Sequence, residues 1–419
     1  MSNFDSDILD SCENYMLKEF GISLKLEIKP FTTDYFPEMP FDYDPDKEKL
    51  TTYAVLCKKI IDFVTANNLR KDEDEYIYKM SDINPMVYNK YMTHKEFIEI
   101  VFDEDKLFNS NPAHLEQILK FIKNRNMKEF TNIKYNKDYL AFRNGSLNIQ
   151  TMEFIKNEDI NIEEKIISRH FINKDFDMNN TDTPLMDSVV YYQLPNKEIV
   201  DIFYALIGRL YFEVKNDGWD VIPYIHGLPS TFKSGSINVI SAGFREDATG
   251  SISSTQEQIF GLDSLQDKEL IIAPDCPENM ADFLKEDIIK SMGSGELCNI
   301  PRKNKKAITM NWKVPTYMTG NYTFKYNDGG GALMKRIAIF RFFNVVIKEN
   351  FDMQKLIIQN ELPQFINKCL KLYHEYRKKY NSTFYNWSPE YFKDNERINN
   401  YDSSPLLQFL STVENTDKR

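Results

Sequence analysis

Cysteine, histidine and long apolar runs are all scarce in this sequence. The five cysteines stand far apart, at positions 12, 57, 276, 298 and 369, with no C-x-x-C pair. That scatter fits a reducing intracellular setting and supplies neither a disulfide framework nor a zinc site. The five histidines are equally dispersed, so a His-based metal centre has no ligand spacing to rest on. No run reaches the roughly eighteen apolar residues that a membrane-spanning helix needs. The opening MSNFDSDILDSCENYM is acidic and carries no signal-peptide pattern, and the expectation is a soluble intracellular protein with no membrane partner. Internal repeats and low-complexity tracts are missing too, which excludes solenoids. With a net charge of −11, the surface is not a uniformly basic one.

What is present suffices for two or three domains with substantial cores: 419 residues, 42% hydrophobic and 27% charged, an ordinary globular composition. Residues 1–45 hold a short helical stretch and then KPFTTDYFPEMPFDYDPD, whose prolines predict an extended arm or linker. Residues 46–185 read as an α-rich domain. TTYAVLCKKIIDFVTANN spaces Ala54, Leu56, Ile60, Ile61 and Val64 at helical intervals, and HLEQILKFIKN at 114–124 does the same. The acidic residues Asp72, Asp74, Asp103 and Asp105 read as helix caps there. A small hairpin is predicted where DYLAFRNGSLNIQTM alternates about Asn144-Gly145. LPNKEIVDIFYALIGRLYF, residues 194–212, predicts an amphipathic helix with Ile199, Phe203, Leu206, Ile207 and Leu210 on one side. Over 186–350 the style changes to short apolar runs, VIPYI, ELIIAPD, VPTYMTG and RIAIFRF, separated by helical text. That pattern predicts an α/β domain around a buried parallel sheet. Residues 351–419 return to helix and end in polar VENTDKR, from which the natural chain is expected to continue.

The chemistry concentrates in 226–342. HGLPSTFKSGS outlines the phosphate loop G-x-x-x-x-G-K-[ST], with Phe232 in place of the second glycine. A strand precedes it and helical text follows, as backbone N–H groups aimed at phosphate require. Gly227 opens the loop; Ser230, Thr231, Phe232 and Gly235 form its backbone. Lys233 would reach the β- and γ-phosphates, and the Ser234 hydroxyl would bind Mg²⁺. Asp275 closes the run ELIIAPD, where a carboxylate holds the metal or orients water, with Glu278 nearby; a helix cap is the alternative. Asn321 ends VPTYMTGN, suited to the γ-phosphate or the attacking water and equally to a turn. In GGGALMKRIAIF, Arg336 is positioned as an arginine finger, in cis or on a neighbour's nucleotide, with Lys335 beside it. IPRKNKKAI gathers Arg302, Lys303, Lys305 and Lys306, a solvated turn or a grip on nucleic acid. Ring-shaped translocases confine positive charge to a channel while the exterior stays acidic.

In order and spacing these elements resemble superfamily 3 helicases, in particular the poxvirus-type primase–helicase family of large DNA viruses, phages and related mobile elements. YLAFRNGSLNIQT resembles that family's strand, Asn-Gly and second strand. VDIFYALIGRLYF is similar to the helix before its ATPase core, DIIKSMGSGELCNIPRKNKKAI to the segment after the acid, and KRIAIFRF to its Arg-containing strand. The resemblance covers residues 135–350, about half the chain. It implies an AAA+-like P-loop ATPase core, ATP and Mg²⁺ as cofactors, a homo-hexameric ring and single-stranded DNA in its channel. A primase or polymerase is a further implied partner, at a viral or mobile-element replication site in the host cell. Lys233 and Ser234 would be the phosphate and magnesium residues, Asp275 the acid and second metal ligand, and Asn321 the sensor. Arg336 would act across a subunit boundary. Arg302, Lys303, Lys305 and Lys306 would sit on or beside a channel-facing hairpin. Two positions depart from the family: Phe232, and Ser294 within Gly293-Ser294-Gly295-Glu296. Should residue 232 need a positive φ, phenylalanine there costs about 1–2 kcal/mol. Two other readings stay open: a nucleotide-binding scaffold or loader with an impaired loop, and a small-molecule phosphotransferase indifferent to DNA. Residues 1–130 contain no primase catalytic signature.

Overall fold

The computed structural model describes residues 52–72, 76–102, 120, 122–123, 130–164, 166–252, 261–280, 284–302, 305–322, 331–346 and 352–403. The chain divides into two units, Met1–Lys59 and Ile60–Arg419. The first is described only from residue 52, so the arm expected over 1–45 lies outside the described residues, as does most of 114–124.

Helix α1 (Thr52–Asn67) is followed by β1 (Leu69–Lys71), β2 (Tyr76–Met80) and β3 (Tyr88–Thr93), an antiparallel meander, and by α2 (His94–Phe102). The sequence reading of an α-rich domain did not include these three strands. They are short and partly exposed, and Tyr76–Met80 and Tyr88–Thr93 show no clean inside–outside alternation. Asp72 is likewise not a helix cap: its carboxylate accepts the Tyr76 amide at 2.7 Å and closes the turn between β1 and β2.

A four-stranded sheet comes next, built from β4 (Tyr135–Phe142), β5 (Gly145–Asn148), β6 (Glu153–Lys156) and β7 (Ile167–Ile172) in the order β6-β5-β4-β7. The hairpin stands where Asn144-Gly145 predicted it, but Gly145 lies in β5, paired with Phe142. A Cβ there would sit 2.3 Å from the Ile155 carbonyl oxygen. Close approach of β6, not turn geometry, therefore demands the glycine.

Helices α3 (Pro184–Gln193) and α4 (Lys197–Arg209) lead into the parallel sheet. The Asn196 side chain starts α4 by accepting the Ile199 amide at 3.1 Å. The sheet region then runs β8 (Ile222–Gly227), α5 (Lys233–Ser241), β9 (Thr249–Ser251), β10 (Leu270–Cys276), α6 (Glu286–Ser294), β11 (Leu297–Arg302), β12 (Lys305–Asn311), β13 (Thr316–Gly320) and β14 (Ile337–Phe342). Helices α7 (Met353–Asn360), α8 (Leu362–Lys379), α9 (Phe384–Trp387) and α10 (Glu390–Ser403) complete the described chain. Five strands form the sheet in the order β14-β8-β13-β10-β9, every neighbouring pair parallel. The protein is thus mixed α/β with a parallel core sheet. From β8 the chain crosses to the far edge at β9, works back through β10 to β13, and only then adds β14 on the other side. This reversal opens a crevice at the carboxyl end of β8, the place where open α/β sheets bind ligands.

The expected one-sided face of α4 proves incomplete. Ile202 through Arg209 are all buried, because α8 packs on the surface that solvent would otherwise reach. Contact is close enough that a Cβ on Gly208 would lie 2.1 Å from the Cys369 carbonyl oxygen. One hydrophobic cluster joins β4 and β5, α3, α4, one face of the parallel sheet and the C-terminal helices. A second lies against the opposite face, beneath α6 and the β11–β12 hairpin.

Candidate nucleotide site at the carboxyl end of the sheet

Strand β8 delivers Gly227 beside β14, where a Cβ would meet the Phe342 carbonyl oxygen at 2.1 Å. The chain then turns through residues 228–232, with Ser230 at φ 59° and Phe232 at φ 74°. Thr231 braces the turn by donating its hydroxyl to the Leu228 carbonyl at 2.7 Å. Phe232 is the last residue before α5 and adopts the left-handed conformation, φ 74° and ψ 16°. Phenylalanine at this position is therefore felt: residue 232 carries about 1–2 kcal/mol of backbone strain. Its ring folds over Gly235, where a Cβ would lie 2.5, 2.7 and 2.8 Å from three ring carbons. Phe232 and Gly235 are thus sterically coupled, the absence of a side chain at one making room for the other.

Lys233 begins α5 and is only 8% exposed. Its ammonium donates to the Gly227 carbonyl at 2.8 Å and to that of Leu228. Burial lowers its pKa, an effect opposed by the charge of Asp275. Ser236, one turn on, exchanges a 2.9 Å hydrogen bond with the Tyr317 hydroxyl of β13 and ties α5 to the sheet.

Asp275 sits in a β-bulge. Ile271, Ile272 and Ala273 pair in step with Thr316, Tyr317 and Met318, but the next partner of Gly320 is Cys276. Pro274 and Asp275 together oppose one residue, and Asp275 takes φ 52°. A proline interrupts strand pairing and a bulge re-aims the following side chain. Asp275 emerges exposed at the sheet's carboxyl edge. It does not cap a helix, since α6 starts only at Glu286. Asn321 follows β13 directly, on a loop held by the Tyr224 hydroxyl, which donates to the Tyr322 carbonyl at 2.7 Å.

These elements meet in one cavity of about 700 Å³, lined by Ser230, Thr231, Phe232, Lys233, Ser234, Gly235, Asp275 and Asn321. Gly227 supports it from within β8, and Glu278 does not line it. The other walls escaped sequence reasoning. They come from Ser188, Val189, Tyr192 and Gln193 around α3, Val346 beyond β14, and Met353 and Gln354 of α7. Gln193 is 7% exposed and clamps the wall together. Its amide donates to the Asn344 carbonyl at 2.7 Å and the Thr231 carbonyl at 3.5 Å, while its oxygen accepts the Asn344 amide at 3.0 Å. A buried glutamine at the end of an apolar helix is the one local hint of this role.

Ser234 and Asp275 face the cavity as two oxygen donors. That set fits Mg²⁺, which in phosphate-transfer sites takes one or two protein oxygens and completes its shell with phosphate and water. Among the described residues no group of three or more His, Cys, Asp or Glu side chains is placed to hold a metal alone.

Arg336 is not brought to this cavity. It ends a short 3-10 turn just ahead of β14, whose Ile337 pairs with Ile222 at the start of β8. The length of β8, roughly 16 Å, separates it from the 228–232 loop of its own chain. Its guanidinium donates to the Ala332 carbonyl at 3.0 Å and lies 3.7 Å from Glu296. The basic cluster does fall on an antiparallel hairpin, β11–β12. Arg302 pairs with Asp263 at 3.1 Å, Lys305 and Lys306 are exposed, and Lys303 lies outside the described residues. Ser294 is harmless to the turn that follows it: it is the last residue of α6, and Gly295 alone takes the positive φ of 65°. A second cavity, about 330 Å³, surrounds the buried Arg169–Glu269 pair (2.6 Å) at the amino end of the sheet. Two of its lysines, Lys137 and Lys313, already lie 3.4 Å from Glu213.

Among the described residues no helix is long and apolar enough to cross a membrane. No family model matches the sequence, and no curated protein matches it. Among solved structures, an apo structure of the NrS-1 C-terminal region is similar at TM-score 0.45 and 14% identity, over 84% of this chain and 75% of that one. A second apo structure of the same region gives 0.45 and 15%, over 84% and 76%.

Proposed function

We propose that the chain is an ATP-driven DNA helicase motor of the superfamily 3 type, with an AAA+-like core. The observation carrying this reading is the convergence of Lys233, Ser234, Asp275 and Asn321 on one cavity at the carboxyl ends of β8, β10 and β13. They come from three separate stretches of sequence, brought side by side by the parallel order β8-β13-β10. In this reading the N–H groups at the start of α5 and the Lys233 ammonium hold the phosphates. Lys233 exchanges its two loop carbonyls for phosphate oxygens as the nucleotide enters. Asp275 orients water for attack at the γ-phosphorus, and Asn321 bonds the γ-phosphate or that water. Ser234 and Asp275 would hold Mg²⁺, which would supply positive charge against the phosphates. Arg336, remote from its own chain's cavity, serves a neighbouring copy's nucleotide in a ring, and the Lys305–Lys306 hairpin tip grips single-stranded DNA through its phosphates.

A second reading, a nucleotide-binding scaffold that does not turn over, is favoured by the strained Phe232 and by Lys233 folded onto its own loop. Phosphate release from ATP separates the two, measured with and without single-stranded DNA beside Lys233→Ala and Phe232→Gly. DNA-stimulated release that Lys233→Ala abolishes supports the motor. A silent parent that Phe232→Gly awakens supports the scaffold, and a silent set that fails to bind ATP refutes both.

A further inference from the structure

We infer that the part of the cavity lining contributed by α3 and α7 is a purine platform, with Tyr192 as its stacking surface and Gln354 as its polar reader. This rests on the nucleotide reading above. The cavity lining is chemically mixed: Lys233, Ser234, Asp275 and Asn321 are polar or charged, whereas Val189, Tyr192, Val346 and Met353 are apolar or aromatic. Pockets that orient a ligand combine such apolar lining with a few placed polar groups. Tyr192 is 52% exposed, so its ring is accessible from the cavity it lines. Its orientation is nonetheless set: the hydroxyl donates to the Val345 carbonyl at 3.3 Å, and its own carbonyl accepts from the Asn344 side chain. The neighbouring Val346 amide donates to the Ser230 carbonyl at 3.1 Å, so the platform is registered directly on the phosphate loop.

Gln354 supplies the polar contact. Its oxygen accepts the Asn238 side-chain amide at 2.7 Å, which fixes the carboxamide and leaves its N–H₂ as the group able to donate into the cavity. A donor in a cavity that also carries an aromatic ring can meet a ring nitrogen of a purine, and a bicyclic base covers more of the Tyr192 and Met353 surface than a pyrimidine. The platform is assembled from α3 and α7, on either side of the core in sequence. Base recognition therefore depends on the C-terminal helices being packed in place.

Calorimetric titration of the full chain with ATP, CTP and inorganic tripolyphosphate tests this, using the parent, Tyr192→Ala and Tyr192→Phe. Removing a base-stacking ring costs roughly 5- to 150-fold in affinity. The expected result is that loss for ATP in Tyr192→Ala, no change for tripolyphosphate, near-parental ATP binding in Tyr192→Phe, and weaker binding of CTP than ATP by the parent. Equal ATP affinities of parent and Tyr192→Ala overturn the inference while leaving the nucleotide site standing. Parallel losses for ATP and tripolyphosphate also overturn it, since Tyr192 would then only hold the loop. A parent that binds none of the three ligands overturns the inference together with the reading beneath it.

Discussion

The coupling of Phe232 to Gly235 makes a quantitative prediction. Gly235→Ala places a Cβ 2.5–2.8 Å from three carbons of the Phe232 ring, a separation that packed carbon atoms do not tolerate. The ring rests against the hydrophobic core, so it can move only by losing those contacts. Overpacking of this kind costs about 1–3 kcal/mol, against a helix-propensity gain for alanine of at most about 1 kcal/mol. The single variant is therefore expected to be destabilised. In Phe232→Gly the obstructing ring is gone, and the left-handed strain of about 1–2 kcal/mol is relieved. That relief offsets part of the lost aromatic burial, so its own stability change is small. Adding Gly235→Ala to Phe232→Gly should now be neutral or stabilising. Because the propensity term cancels in the cycle, the coupling energy equals the overpacking cost, about 1–3 kcal/mol, well above the roughly 0.5 kcal/mol seen for independent sites. Urea denaturation of the four proteins measures it. Additivity within that margin, or a stabilised Gly235→Ala single variant, would refute the packing argument.

Arg336→Ala should bind ATP as the parent does, because the guanidinium lies at the far end of β8 from its own cavity, yet lose turnover on the order of a thousandfold or more. Mixing it with Lys233→Ala should restore part of the phosphate release, and no recovery on mixing would exclude a shared site. For single-stranded DNA, Lys305→Ala and Lys306→Ala should each lower the slope of log affinity against log salt by about 0.7; fluorescence anisotropy across a salt series reads this, and unchanged slopes place the hairpin off the DNA. Burial holds the His170 imidazole down to about 4, partly opposed by its 3.3 Å contact with the Ala242 carbonyl. The unfolded chain takes up that proton at its ordinary value near 6.5, so this contribution to stability is complete above pH 6.5 and is lost as pH falls toward 4. Thermal unfolding of His170→Gln should show a weaker pH dependence across that window, and identical profiles would count against the assignment.

What the sequence determined by itself is the local chemistry. Strand, loop and helix around Lys233 are written in consecutive residues, Ile222–Gly227, 228–232 and Lys233–Ser241, so a local reading suffices to find them. Pro274 before Asp275 contains the bulge, since proline cannot pair in mid-strand. The apolar runs announced four of the five parallel strands, and only the short Thr249–Ser251, with a glycine at its centre, passed unread. The hairpin bearing Arg302, Lys305 and Lys306 was expected from the family resemblance alone; the residues themselves read equally as a solvated turn. Tertiary structure decided everything that depends on which distant segments meet. Gln193 reaches Thr231 across 38 residues and Asn344 across 151, and no window of sequence spans such pairs. Asn144-Gly145 announced a hairpin, but that Gly145 answers to β6 needed the register of the neighbouring strand. The buried faces of α4 needed α8, and the distance of Arg336 from its own phosphate loop needed the parallel pairing of β14 with β8. Local propensity selects the elements; the order of strands and the packing of remote helices select which side chains share a cavity.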